Sequence, residues 1–282
     1  MIMKKISLFL ISIFYIIFFF FYPNIIKQNM IDVCLVFVFQ VMPSILPIYL
    51  FSNILISCGI LGKLSFILNK VFHFENEYSC SIYLLSILVG NPTTSILINQ
   101  EINNYHISQN EGIRLTKFTC FVNPLFLLNT CKHYFILLFL SMIITSIIIG
   151  YFSPNKKINK NDCIYQLSIN SVLHNIPSMM LNVLVIMILI SILKSPLSLL
   201  SGHPVITYLG DLLEISSGIS HIISSNNLFL ICLLVYSNGL CMLLQTIQVS
   251  TFIKPSTFCL YRLLYLILAS SITLFIHFCF YC

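Results

Sequence analysis

The sequence predicts an all-α polytopic membrane protein with about seven to nine membrane segments, built as two inverted repeats with broken or re-entrant helices. Composition, run length and the recurrence of breaks lead to it. Only 8% of the 282 residues are charged and 58% are hydrophobic, whereas a water-soluble domain carries about 25% charged residues. So few polar side chains cannot cover a globule in water, and lipid accepts the remaining surface. The apolar residues also fall in long runs, and a spanning helix takes roughly 20 residues. Several runs are interrupted by asparagine, glycine and proline in an order that occurs twice. The composition excludes a nucleic-acid binder, a secreted disulfide scaffold and an enzyme with a separate soluble catalytic domain.

Residues 1–30 read as a signal-anchor helix. Lys4 and Lys5 precede the apolar stretch Ile6 to Tyr22, and no small-residue cleavage site follows, so the N-terminus is expected in the cytoplasm. Pro23 to Asp32 is expected to be a polar knuckle. The run from Val33 meets Pro43 and Pro47, residues that break or kink a helix, and ends at Gly59, Gly62 and Lys63. Asn69 to Glu77 reads as a short interfacial stretch. Tyr78 to Gln100 is apolar on both sides of Gly90-Asn91-Pro92, so a helix is expected to unwind there and restart. Unwound backbone at depth must be enclosed by protein or water.

Ser108 with Glu111 three residues later is a capping-box pattern. It opens a helix carrying Arg114 and Lys117, which runs into a second break at Asn123-Pro124 before His133 to Phe152 spans. Residues 153–166 form a basic loop with Lys156, Lys157 and Lys160. The positive-inside rule puts that loop in the cytoplasm, with an even number of crossings before it. Beyond it, Leu173 to Leu193 spans with Pro177 near its start. Leu209 to Ser225 is a more polar segment with Asp211, Glu214, Ser216, Ser217 and Gly218. Leu228 to Ser250 is broken at Asn238-Gly239, and Phe258 to Tyr281 closes the chain with Arg262 near its start.

The order of features repeats. Pro43-Ser44 is followed 47 residues later by Gly90 and 24 after that by Arg114; Pro177-Ser178 is followed 62 residues later by Gly239 and 23 after that by Arg262. With the Lys156 loop in the cytoplasm, the first proline-serine helix runs inward and the second outward. Inverted repeats with broken helices in matching places point to a secondary transporter whose site lies near the bilayer midplane.

The candidate binding residues follow from those breaks: Gly90, Asn91, Pro92, Asn123, Pro124, Asn238 and Gly239, with Gln245, Glu214 and Ser216 nearby. An ionisable group inside the bilayer is costly and so a functional candidate, which singles out Glu214; the alternative is a solvated position beside Asp211. The amides of Asn91, Asn123, Asn238 and Gln245 offer donors and acceptors next to freed backbone, the alternative being interhelical bonding. Helices restarting after Pro92 and Gly239 would turn positive N-terminal ends toward a carboxylate. Arg114 and Arg262 are expected to snorkel to headgroups, and Ser44, Ser178, Ser216 and Ser217 to bond within their own helices. The histidines show no metal-ligand spacing. The 11 cysteines are an odd number scattered through apolar runs, with Cys279 and Cys282 as a lone C-x-x-C, so no disulfide framework is read. Tyr208-Leu209-Gly210-Asp211 lacks the first glycine of the G-x-G-D of intramembrane aspartyl proteases. No catalytic residue, metal or cofactor is expected, and the protein is read as no enzyme.

Six strings go further. Met42-Pro43-Ser44-Ile45-Leu46-Pro47, Gly90-Asn91-Pro92, Asn123-Pro124-Leu125-Phe126, Leu213-Glu214-Ile215-Ser216-Ser217-Gly218, Gly239-Leu240 with Gln245, and Arg262-Leu263-Leu264 stand in the order of P-S-L-F-P, S-G-Y-P, N-P-L-F, E-I-T-x-G, G-L-S-V-Q-x-Q and A-R-L-L. In this the chain resembles the YlbJ-type sporulation integral membrane proteins of the nucleoside-recognition or Gate domain group. Asn91 and Thr94 replace the tyrosine and second glycine of S-G-Y-P-x-G. The resemblance implies Gate-like repeats over residues 31–152 and 167–282, and transport of dipicolinate across the outer forespore membrane. A nucleoside-like or other small-solute carrier, or a non-transporting membrane scaffold needed for spore formation, are the alternatives. Expected partners are a small-molecule solute and membrane lipid, with no nucleic acid, and a homo-oligomer stays open.

Overall fold

A computed structural model describes residues 2–153, 169–199, 204–213, 218–219, 222–223 and 227–281, and among them every regular element is helical. Lys156, Lys157, Lys160, Glu214, Ser216, Ser217 and Cys282 lie outside the described residues. Five described helical stretches are long and apolar enough to cross a membrane: Pro23–Ile56, Lys132–Tyr151, Ile176–Ser198, Leu228–Val249 and Pro255–Cys279. Phe9–Phe21 and Glu77–Val89 are shorter apolar helices. Large apolar side chains such as Phe20, Phe39 and Phe275 stand on the outside, a surface that only lipid solvates. The chain is a multi-pass α-helical membrane protein.

Helix α1 (Ile2–Phe21) meets α2 (Pro23–Val36) at a corner on Tyr22. The expected polar knuckle is instead the opening turn of α2, because Pro23 at its first position presets a helical φ and lacks a donor the first turn would leave unpaired. Pro43 and Pro47 do not break the next run, which stays helical through a π-helical turn, Phe37–Val41, into α3 (Met42–Ser57). Pro43 falls in the first turn of α3, where a missing N–H costs least, and the preceding turn has already widened to longer-range bonding. Ser44 Oγ donates to the Val41 carbonyl at 2.8 Å. After a short 3-10 turn, Leu61–Leu64, α4 (Ser65–Phe72) ends at His73 in the left-handed conformation.

Helices α5 (Glu77–Val89) and α6 (Thr93–Asn103) form a hairpin. Asn76, which caps α5 by accepting from the Ser79 N–H, donates its Nδ2 to the His106 carbonyl beyond α6 at 2.5 Å. The two open ends therefore meet, and the segment enters and returns on one side rather than unwinding and continuing across. Thirteen residues of α5 put the tip about 20 Å from this base. Helix α7 (Gln109–Phe118) starts from the same end, gives way to an extended stretch from Thr119 to Asn123, and resumes as α8 (Pro124–Thr130). Helix α9 (Phe135–Tyr151) returns, since Arg114 in the middle of α7 donates to the Ser153 carbonyl just past α9.

The second half holds α10 (Ile169–Ser198), α11 (Pro204–Leu213), α12 (Leu228–Ser237), α13 (Gly239–Val249) and α14 (Pro255–Tyr281). The turn between α13 and α14 lies at the hairpin's base: Gln109 Nε2 donates to the Phe252 carbonyl at 3.0 Å, and Thr251 Oγ1 to Asn99 Oδ1 at 3.1 Å. Helix α14 packs against α9 and α12. Its buried Tyr265 hydroxyl donates to the Met142 carbonyl at 3.2 Å, and Thr273 shares a 2.5 Å bond with the Tyr236 hydroxyl. In a lipid-facing bundle each such group must be paired inside the protein.

Candidate functional site

At the hairpin's base the capping box forms, in modified form. Ser108 Oγ accepts from the Glu111 N–H at 3.1 Å, as the spacing predicts. The reciprocal bond to the Ser108 N–H comes from Glu75 Oε2, at 3.1 Å, not from Glu111. Glu111 turns instead to Arg114, whose Nε and Nη2 reach its two carboxylate oxygens at 2.7 and 2.6 Å. Arg114 Nη1 donates to the Phe72 and Ser153 carbonyls. With Arg114 at 7% exposure and Glu111 at 1%, this is a buried bidentate pair, and the expected snorkelling of Arg114 is overturned because its partners lie inside the protein. Arg262, 4% exposed, is likewise buried; its Nη1 reaches the Cys120 carbonyl and its Nε has no partner.

The first two breaks interlock. Gly90 adopts φ +69°, and a Cβ there would lie 2.4 Å from the Asn123 backbone nitrogen, so glycine is required both by the dihedral and by the approach of the second break. The Asn91 N–H donates to the Phe121 carbonyl at 2.8 Å. Thr94, standing where the resemblance would place a glycine, closes the tip by donating Oγ1 to the Gly90 carbonyl at 3.0 Å. Asn123 caps α8, its Oδ1 accepting from the Leu125 and Phe126 N–H groups. Pro124 holds the first position of α8.

A cavity of about 80 Å³ opens beside this junction, room for several waters or a small solute group. Asn91, Pro92 and Asn123 line it from the first half, and Gln245, Cys241, Met242 and Met187 from the second. Gln40 and Ser44 supply a third polar edge, with Val41, Ile45 and Phe126 completing the wall. Four candidates therefore converge: Asn91, Pro92, Asn123 and Gln245. Gly90 and Pro124 shape the wall without lining it. Asn238, in the left-handed conformation with Gly239 at φ +60°, breaks the helix between α12 and α13 as expected, yet its side chain is 1% exposed, unpartnered and off the lining. Glu214 and Ser216 lie outside the described residues.

Sequence reasoning missed Gln40. Its signal was a lone amide in an apolar run; the π-helical turn that carries it has no local sequence signature. Cys241, one of the cysteines scattered through apolar runs, was not singled out either; Gln245 one turn on donates Nε2 toward its sulfur at 3.4 Å and to the Val183 carbonyl at 3.5 Å. Ser44 does bond within its own helix, as expected, while also lining the cavity.

The lining carries no lysine, arginine, histidine or carboxylate among the described residues. Its polar groups are amides, a hydroxyl and a thiol. Asn123 has spent its carbonyl on the α8 cap, which leaves an Nδ2 donor; Gln245 has committed Nε2, which leaves an Oε1 acceptor; Asn91 retains both. Helix α6 starts at the cavity with no side-chain cap, so the positive end of its dipole lies there, whereas the short α8 has its first N–H groups capped by Asn123. Chemically the lining offers amide donors and acceptors beside the apolar surfaces of Phe126, Met187 and Met242. No protein-family model, no curated protein and no solved structure matches the chain.

Proposed function

We propose that this protein is a membrane carrier of a small, heteroaromatic or anionic solute, built of two inverted Gate-like repeats that move about the cavity, and that dipicolinate in spore formation is its first candidate substrate. The observation that carries the reading is that two helix breaks from one half and Gln245 from the other line a single cavity inside a multi-pass membrane protein. Alternating access asks for such a site, shared between two halves and lined by discontinuous helices. Counting α1 and the interrupted α7–α8 path with the five long spans gives seven crossings, and the hairpin adds a re-entrant pair. Each half then runs from a long helix to a discontinuous one and on to a long helix; the buried arginines do not match in this mapping, since Arg114 lies in the discontinuous helix of the first half and Arg262 in the closing helix of the second. For a dicarboxylate, the N-terminus of α6 and the Asn123 Nδ2 donor would act in place of basic side chains.

A second reading, a neutral nucleoside-like solute, is favoured by one feature: among the described residues no charged side chain lines the cavity. Uptake of labelled dipicolinate and labelled uridine into proteoliposomes separates the two. A carrier loses uptake in Asn91→Ala and Gln245→Ala while the variants insert normally. Absence of uptake of either solute, with correctly inserted protein, would turn the reading to another solute or to a non-transporting scaffold.

A further inference from the structure

The hairpin whose tip lines the cavity has, at its base, a second polar site that solute binding does not use. Glu101, on the last turns of α6, is 3% exposed. Its Oε2 lies 2.6 Å from His106 Nδ1, and the imidazole is about one third exposed, its side chain at 33% against 5% for the carboxylate. On its other side the imidazole stacks on Tyr78 of α5, ring centroids 4.3 Å apart and planes 13° apart. The His106 carbonyl meanwhile accepts from Asn76 at the start of α5. His106 thus ties the two open ends of the hairpin while joining a buried carboxylate to the aqueous mouth.

We propose that Glu101 and His106 bind a coupling proton at the base of the α5–α6 hairpin, linked to solute binding at its tip. The proton arrives from water on the imidazole and passes across the 2.6 Å contact to Oε2. The carboxylate becomes a carboxylic acid and the imidazole is left neutral with its proton on Nε2 and Nδ1 accepting from the acid; return of the proton by the same route restores the starting tautomer. Burial pushes the Glu101 carboxyl above its ordinary value, and the bond and charge of His106 draw it back in part. Other titratable groups around the pair are accounted for. Tyr78 is stacked on His106, and Glu77 precedes it on α5. Tyr49 of α3 bonds Gln100 Oε1 at 3.2 Å. Toward α7, Glu75 is engaged by Ser108 and Glu111 is paired with Arg114. The turn before α14 carries Lys254 and contributes Thr251 to Asn99.

The path from base to tip is short. Gln100, next to Glu101, joins α6 to α3 through Tyr49 and through Asn53 Oδ1 at 3.2 Å. Ser44 and Ile45, about one turn from Tyr49 on α3, line the cavity. A charge change at Glu101 therefore acts on the contacts that hold the hairpin to α3, and the linkage is reciprocal: what proton binding does to solute affinity, solute binding does to proton affinity.

The linkage to a solute rests on the carrier reading, so the test has one arm free of it. In full-length protein in lipid nanodiscs, infrared spectra across pH should show a protonated-carboxyl band persisting above the ordinary carboxylate range. It should be absent in Glu101→Gln and persist to still higher pH in His106→Gln, which removes the lowering partner. In a variant keeping Cys241 as its only cysteine, the rate of alkylation by N-ethylmaleimide should change through the same pH interval and be flat once Glu101→Gln is added. Affinity for dipicolinate or uridine should shift about tenfold over that interval in the wild type and not in Glu101→Gln. A carboxyl band titrating in the ordinary range, or pH dependence of alkylation surviving Glu101→Gln, overturns the proposal. Loss of the affinity arm alone, because neither solute binds, counts against the carrier reading for those solutes and leaves the proton site standing.

Discussion

Two kinds of polar residue lie within this bundle, and substitution tells them apart. Arg114 and Glu111 are a paired, fully bonded couple with no access to the cavity. Removing one partner leaves a buried charge uncompensated, so Arg114→Ala is expected to cost about 3–5 kcal/mol; Arg114→Met with Glu111→Gln should cost clearly less than the sum of the single changes. Thermal unfolding in detergent reads both. Asn123 belongs to the other kind, because one end of its amide serves the fold and the other faces the cavity. Asn123→Ala loses the cap, worth about 1 kcal/mol, and should lower both stability and uptake. Asn123→Asp keeps an acceptor for the Leu125 and Phe126 N–H groups but has no Nδ2, so uptake should fall with little loss of stability. Unchanged uptake in Asn123→Asp, with loss of stability only in Asn123→Ala, would make Asn123 a capping residue only.

At the scale of elements, the breaks rather than the long spans make the site. Gly90 is the point where two of them touch, and Gly90→Ala brings a Cβ against the Asn123 backbone, which no rotamer change relieves. The positive φ with ψ at 179°, a region essentially confined to glycine, and the clash together are expected to cost about 2–6 kcal/mol, read as a lower unfolding midpoint and lost uptake. The hairpin base gives a pH dependence with a definite sign. Because the folded protein raises the Glu101 carboxyl, the native state holds a proton that the unfolded chain releases more readily. That contribution to stability is complete below the ordinary carboxyl range and is lost as pH rises through the raised value. The unfolding midpoint should therefore fall over that interval, and Glu101→Gln should flatten the curve. The broken helices were legible in the sequence because Gly-Asn-Pro and Asn-Pro cannot continue an α-helix. Whether a break returns the chain or lets it cross is decided by contacts at the far ends, such as Asn76 with His106, which no local pattern encodes. Likewise Glu75 replaces Glu111 in the capping box from 33 residues away.

For the whole molecule, composition alone identified the solvent, because 8% charged residues leave no choice but lipid. What composition could not supply was the path of the chain, since the interrupted α7–α8 segment has too little continuous helix to register as a span. The hydrogen bonds fix that path. Asn76, Ser153 and Thr251 gather at the hairpin's base through the bonds of Asn76 to His106, Arg114 to Ser153 and Thr251 to Asn99, whereas Asn24 and Lys132 lie at the opposite ends of α2–α3 and of α9. Lys70 and Lys254 join the base end, so the positive-inside rule predicts that this end faces the cytoplasm. Single cysteines at Ser153 and Thr251, in a background whose exposed native cysteines are replaced, should react with a membrane-impermeant maleimide only from the cytoplasmic side. Cysteines at Asn24 and Lys132 should react only from the other. Reaction of positions 132 and 251 from the same side would rule out the proposed crossing by α7 and α8, and with it the proposed inverted relation between the two halves on which a shared, alternately opened cavity would depend.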